Sequence, residues 1–162
     1  MITREAGAAD LAGICAVHIA SWRDAYRPYL PATYLAEPVA RDLGELWTEL
    51  TEDDLVLVAE AQGALLGFVA FRLGAAGGPL LDNLHVDPAR RGLGAGGVLM
   101  RAGAAALAAR GYQSFWLTVI EQNAAARRFY KRHGGREGPP FQERLKGNPV
   151  TVRKVSWDRL PL

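Results

Sequence analysis

Glycines at 92, 94, 96 and 97 follow directly on Arg90 and Arg91, within a stretch, Asp87 to Gly97, that joins an apolar run to a helical one. Glycines let successive backbone N–H groups turn towards one point, and a helix N-terminus adds partial positive charge, so a turn of this kind stabilises a phosphate or pyrophosphate. The same glycines also suit close helix-sheet packing, and by themselves they leave both roles open. Further on, Asn123 opens an Ala-rich helical run, and Tyr130 lies seven residues later, nearly two turns along and roughly on the same face. The asparagine can cap the helix or offer its amide to a ligand. The tyrosine can donate a proton at neutral pH or pack beside Phe129.

One reading of the glycines is a dinucleotide site, because Gly92, Gly94 and Gly97 satisfy G-x-G-x-x-G and Glu121 closes the next strand run, where an acid binds ribose. A Rossmann turn brings its first glycine almost immediately after the strand. Here Asp87 to Arg91 intervene, with a proline and two arginines, which favours a different phosphate loop.

The residues from Leu84 to Gly96 resemble the acetyl-coenzyme A loop of the GNAT N-acetyltransferases, with its R-x-x-G-x-G core at Arg91, Gly94 and Gly96. Asn123 to Gly134 resembles the same family's N-x-x-A-x-x-F-Y segment. The resemblance spans about Leu80 to Gly135. It implies an α/β fold with a mixed, mostly antiparallel sheet flanked by helices, built round a central strand-loop-helix cofactor unit. The implied activity is acetyl transfer from acetyl-coenzyme A, as cosubstrate, to a primary amine by direct attack on the thioester.

Carried over to this chain, the main chain of Leu84, His85 and Val86 aligns the pantetheine arm. The backbone of Arg91, Gly92, Leu93, Gly94, Ala95 and Gly96 binds the pyrophosphate, and Asn123 meets the pantetheine. Tyr130 protonates the leaving thiolate, a role that suits a phenol titrating near ~10 against a thiol near ~8.5. The family often carries its base on the strand before the loop, which points to Asp82, with Glu121 second. Strict alternation places Leu80, Asp82, Leu84 and Val86 on one face of that strand and Asn83 and His85 on the other, so Asp82 and His85 share a face only if a bulge intervenes. Trp22, Asp24, Tyr26 and Tyr34 are expected to wall the acceptor pocket. One of Arg127, Arg128, Lys131 and Arg132 is expected to reach the coenzyme's 3′-phosphate. The chain departs from the family at Gly135, where an aromatic is frequent, and looser packing after the helix is expected there.

The elements that must hold these residues follow from periodicity. Ile2 to Arg4 reads as a strand, and Leu11 to Trp22, capped by Asp10, as an amphipathic helix. A second helix is expected over Val39 to Glu52. Leu55 to Glu60 and Ala64 to Leu73 form a hairpin across Ala61-Gln62-Gly63. Strands follow at Leu80 to Val86 and Ser114 to Val119, helices at Val98 to Arg110 and Asn123 to His133. Arg136 to Leu145 and Val150 to Trp157 close a second hairpin through Lys146-Gly147-Asn148-Pro149.

Composition limits the alternatives. The chain has 162 residues, 49% hydrophobic and 22% charged, which suits one N-acetyltransferase domain over residues 1–162. A net charge of +2 is too weak for a nucleic-acid footprint, and no apolar run is long enough for a membrane span. With no secretory pattern at the N-terminus, the cytoplasm is the expected compartment. Cys15 is the single cysteine and reads as a buried helix residue; His18, His85 and His133 lack the spacing of a metal site. The expected acceptor is a small-molecule or protein amine, and homodimerisation is left open. A non-catalytic acyl-coenzyme A sensor has no need of Tyr130 as a thiolate acid, which separates that alternative from an enzyme.

Overall fold

Runs of β-branched and aromatic residues between glycine turns become strands. The computed structural model, which describes residues 1–160 and 162, places β1 at Ile2–Glu5, β2 at Asp54–Ala61, β3 at Ala64–Arg72, β4 at Leu80–Val86, β5 at Phe115–Ile120, β6 at Arg136–Leu145 and β7 at Asn148–Trp157. They form one seven-stranded sheet in the order β1-β2-β3-β4-β5-β7-β6. Every neighbouring pair is antiparallel except β4 and β5. A mostly antiparallel sheet is incompatible with the doubly wound parallel sheet of a dinucleotide fold, so the G-x-G-x-x-G reading is corrected here.

Both hairpins close through two residues with positive φ, Gln62-Gly63 at 53° and 74° and Lys146-Gly147 at 49° and 80°. This geometry follows the right-handed strand twist. The second turn is therefore tighter than expected, and Pro149 belongs to β7, opposite Arg144.

Helices cover both faces: α1 is Leu11–Ala25, α2 Ala32–Ala36, α3 Pro38–Leu46, α4 Ala95–Ala109 and α5 Ala124–Arg132. α1 buries Ile14, Val17, His18, Ser21 and Trp22, with Ile14 and Val17 packed with Val56, Val58 and Phe68. Cys15, expected inside, is only partly buried. α3 ends well before the expected Glu52, because Trp47 leaves helical geometry and turns its ring onto His18 and Phe68. On the opposite face α4 packs Leu99, Met100, Ala104 and Leu107 on Phe71, Phe115 and Trp157. Gly103 permits that approach, since a Cβ there would lie 2.6 Å from Phe71 Cε2. Among the described residues no helix is long and apolar enough to cross a membrane, and no three His, Cys, Asp or Glu side chains gather as a metal site.

Packing after α5 is tight, contrary to the looseness expected at Gly135. A Cβ at 135 would lie 2.6 Å from Val155 Cγ1 and 2.7 Å from Trp157 Cζ2. The Trp157 indole, stacked on Phe115 at 4.5 Å, fills the space. Gly135→Ala should therefore lower stability by about 1–3 kcal/mol through overpacking, read as an earlier urea midpoint with an unchanged m-value.

Candidate functional site

The site begins where two strands part. β4 and β5 share one register pair, Leu80 with Trp116, and Trp116 N–H donates to Pro79 O at 3.1 Å. Beyond it β5 keeps its antiparallel ladder with β7, while β4 stays on β3. The β5-facing edge of β4 from Asp82 onward therefore has no strand partner among the described residues. Exposed ladder groups of this kind seek an extended chain to bond.

The register between β3 and β4 shifts where Ala70 faces Asn83 and Phe71 faces Leu81, leaving Asp82 as the extra residue. This is the bulge on which the sharing of a face depended. It returns Leu84 and Val86 to the α4 side with Leu81, and Asp82, Asn83 and His85 line the cleft beneath α1. The strict alternation expected across Leu80 to Val86 is corrected by that residue.

A cleft of about 460 Å³ fills the gap. Asp82, Leu84, His85, Asn123 and Tyr130, which the sequence singled out, all line it, as do Trp22 and Tyr26. Asp24 and Tyr34 do not: Asp24 pairs with Arg91, and Tyr34 Oη–H donates to Asp42 at 2.8 Å. Glu121 also lies outside. Its carboxylate accepts from Arg153 Nε and Nη2 at 3.0 and 2.7 Å, tying β5 to β7. A hollow of about 570 Å³ beside Arg23 and Leu35 is larger, yet Arg23 spends its guanidinium on the Leu35 and Ala36 carbonyls.

The glycine loop continues from the open end of β4. Asp87 N–H donates to Leu66 O at 2.8 Å, and the Asp87 carboxylate accepts from Ala89 N–H at 3.0 Å, closing a 3₁₀ turn over Pro88–Arg90. Gly92 and Gly94 then take φ of 86° and 77°, left-handed values that glycine adopts without strain. α4 starts at Ala95, three residues earlier than expected. Its first bond is Val98 N–H to Gly94 O at 3.2 Å, so the Ala95, Gly96 and Gly97 amides are left without helical acceptors. Gly96 and Gly97 thus open the helix and let it approach α5: a Cβ at 97 would stand 3.0 Å from His133 Nε2.

Asn123 Oδ1 accepts from Ala126 N–H at 3.0 Å. The cap uses the oxygen and leaves the amide hydrogens for the cleft. Burial, and secondarily Tyr26, hold the Tyr130 phenol above the usual tyrosine range, so it stays protonated. Asp82 accepts from Arg72 Nε at 3.0 Å and from Asn83 Nδ2 at 3.1 Å.

Sequence reasoning missed the α1 imidazole and the far hairpin. His18 and His85 stack with centroids 4.5 Å apart, and His85 Nδ1 lies 2.9 Å from Ser21 Oγ. Burial pulls His85 down to about 4. It pulls His18 to about 2, with smaller contributions from His85 and Lys146. Glu143, Arg144, Leu145 and Lys146 roof the cleft from the β6–β7 turn. The i, i+4 spacing of His18 and Trp22 was the one available signal; nothing local to the hairpin announces that it folds over α1.

Residues 19–135 match the family described as the acetyltransferase (GNAT) family. The chain is 29% identical over 134 residues to YuaI of Bacillus subtilis, named as an uncharacterized N-acetyltransferase, covering 76% of this chain and 74% of that one. Its fold is similar to that of the PaiA N-acetyltransferase of Thermoplasma acidophilum, solved with coenzyme A, at a TM-score of 0.71 and 20% identity over 94% of this chain and 96% of that one. YncA of Salmonella typhimurium, a putative acetyltransferase solved with acetyl-CoA, gives a TM-score of 0.69 and 20% identity over 97% and 92%.

The neutral imidazoles make stability depend on pH. The unfolded chain gains protons on both as pH falls through about 6.5, whereas folded His85 gains one only near 4 and His18 lower still. The unfolded state binds more protons in that window, so stability falls on acidification, by up to about 1.4 kcal/mol per pH unit for each histidine. Urea unfolding from pH 7.5 to 4.5 should show this slope. In His85→Gln it should be roughly halved between pH 6 and 4.5.

Proposed function

The chain belongs to the acetyltransferase (GNAT) family, and from that premise we propose that it acetylates a primary amine directly from acetyl-coenzyme A within the cleft between β4 and β5. The observation carrying this reading is the parted strand edge with a glycine loop at its open end. One feature suits an extended pantetheine arm, the other a pyrophosphate.

The residues fit that cosubstrate on their own chemistry. Leu84 and Val86 turn main-chain groups towards the gap left by β5, alternating with His85 and Asp87, which face β3. Arg91 to Gly96 supply the left-handed turn and free helix amides, and Asn123 keeps two amide hydrogens available. Acetyl-coenzyme A supplies an acetyl group activated as a thioester. The protein's part is to align it, exclude water and move two protons. As the amine nitrogen bonds to the acetyl carbon and the carbon–sulfur bond breaks, Tyr130 Oη–H protonates the sulfur. Asp82 is assigned the amine proton, because among the carboxylates considered for that role it alone lines the cleft. Its carboxylate is also ion-paired with Arg72, and proton loss to water is the competing route. Arg91, held by Asp24 in the structure, is free to turn to phosphate once that exposed pair opens.

Two measurements test the proposal. Calorimetry should give tighter binding of acetyl-coenzyme A than of NADH or NADPH; tight nicotinamide binding alone would sink the assignment. Tyr130→Phe removes the donor and keeps the ring, so turnover by thiol release should fall about 100-fold or more with little change in acetyl-coenzyme A affinity. Wild-type turnover, with chemistry shown to limit the rate, removes Tyr130 as the acid.

A further inference from the structure

The polar side chains along the α1 and α3 side of the cleft are largely spent on one another. Ser21 Oγ lies 2.9 Å from His85 Nδ1, and Trp47 Nε1–H donates to His18 Nδ1 at 2.9 Å. Arg72 Nε–H and Asn83 Nδ2–H both serve the Asp82 carboxylate, at 3.0 and 3.1 Å. Lys146 Nζ pairs with Asp42 at 3.8 Å, and Arg144 Nη1–H donates to Gly147 O at 2.8 Å. His18 Nε2 and Trp22 Nε1 are sealed inside the protein, out of reach of anything in the cleft. Both imidazoles stay neutral. Among the described residues Glu143 and Arg144 are the charged lining side chains without an ion pair, and both are exposed at the rim. A second charge carried inward by the acceptor would therefore leave water for a wall with no free counter-charge to offer.

The apolar side chains on this side are not spent in the same way. Leu46, the last residue of α3, lines the cleft with 49% of its surface exposed, whereas Leu43, one turn earlier, is fully buried. The apolar stripe of α3 thus runs out of the core and into the mouth of the cleft. Tyr26, Leu145 and Val150 also line it and are only partly buried. The Tyr26 ring is backed by Trp22 at 4.6 Å between centroids, and Leu145 packs with the cluster of Trp22, Leu35 and Leu43. No described residue bonds the Tyr26 hydroxyl or His85 Nε2, and neither is sealed in as His18 Nε2 is. Those two groups can hydrogen-bond one amine nitrogen.

We propose that the acceptor is a monoamine with an uncharged, apolar body, which lies on Leu46, Leu145 and Tyr26 while its nitrogen reaches the thioester. A polyamine, an amino acid or an amino sugar would set charge or hydroxyl groups against a wall that has already satisfied its own. This rests on the acetyltransferase reading and specifies its substrate class.

The test is thiol release from acetyl-coenzyme A with a series of primary amines of similar basicity. Hexylamine, cadaverine, 5-aminopentanol and 4-aminobutyrate match in length and differ at the far end, and 2-phenylethylamine is a second apolar member. The expected result is a kcat/KM for hexylamine or 2-phenylethylamine at least about tenfold above those of the three amines with a charged or hydroxylated end. Leu46→Gln, at a half-exposed site that accommodates a polar side chain, should raise the KM of the preferred apolar amine about fivefold and leave acetyl-coenzyme A affinity as it was. A flat series, preference for a charged or hydroxylated end, no turnover of either apolar amine, or an unchanged KM in the Leu46→Gln protein overturns the proposal. Calorimetry with acetyl-coenzyme A separates the two readings. If the coenzyme does not bind, the acetyltransferase reading itself has failed; if it binds and the series gives one of those results, the acceptor class alone is lost.

Discussion

Everything at the site depends on β4 and β5 separating after one shared pair. A parallel pair in the middle of a sheet ordinarily continues, since each additional residue satisfies further backbone groups. Here each strand is held from its other side: β4 by β3, and β5 by the β7 ladder with the Arg153–Glu121 pair at its end. Trp116 fixes the junction from within, its indole donating to Gly78 O at 3.1 Å while its main chain bonds Pro79. The gap is therefore enforced by the strands on both flanks. An edge that would be an aggregation hazard at the border of a sheet becomes a slot in its middle.

The extra residue at Asp82 is the second device, and it acts on chemistry as well as on shape. Without it, Leu84 and Val86 would face α1 and the cleft would lose His85. With it, an apolar pair closes the α4 core and a polar set faces the cleft. Energetically the arrangement is uneven. His18 and His85 stay neutral at the cost of acid stability, and the donors on His18 and Trp22 are left without partners. These deficits all fall on residues that line the cleft, where natural domains commonly give up stability for function.

How much of this the sequence disclosed follows from the range of the interactions. Strands, hairpin turns and helix faces are local, and the periodicities of two and about four residues located them to within a few residues. The glycine loop and the Asn123–Tyr130 helix were legible because each is a contiguous segment. The early end of α3 was not, because it results from Trp47 reaching across to His18 and Phe68, a tertiary gain that overrides an apolar pattern running on to Leu50. Glu121 looked available because its partner Arg153 lies 32 residues away. The bulge at Asp82 shifts every face assignment after it, and nothing in an alternating pattern of seven residues signals an insertion.

The placement of Tyr130 makes the same point at longer range. Its phenol is aimed by α5, whose end is fixed from outside the helix: Trp157 Nε1–H donates to His133 O at 2.7 Å, and Gly135 N–H returns to Tyr130 O at 2.9 Å. The Tyr130 ring meets Trp157 edge-on with centroids 6.0 Å apart. Gly135 is small so that Trp157 can sit there, and Trp157 is held in turn by its stack on Phe115. The aromatic bulk frequent after α5 in the family is thus supplied here by β7. Position 135 and position 157 are one packing decision made at two places in the chain, and the orientation of the phenol at 130 is its consequence.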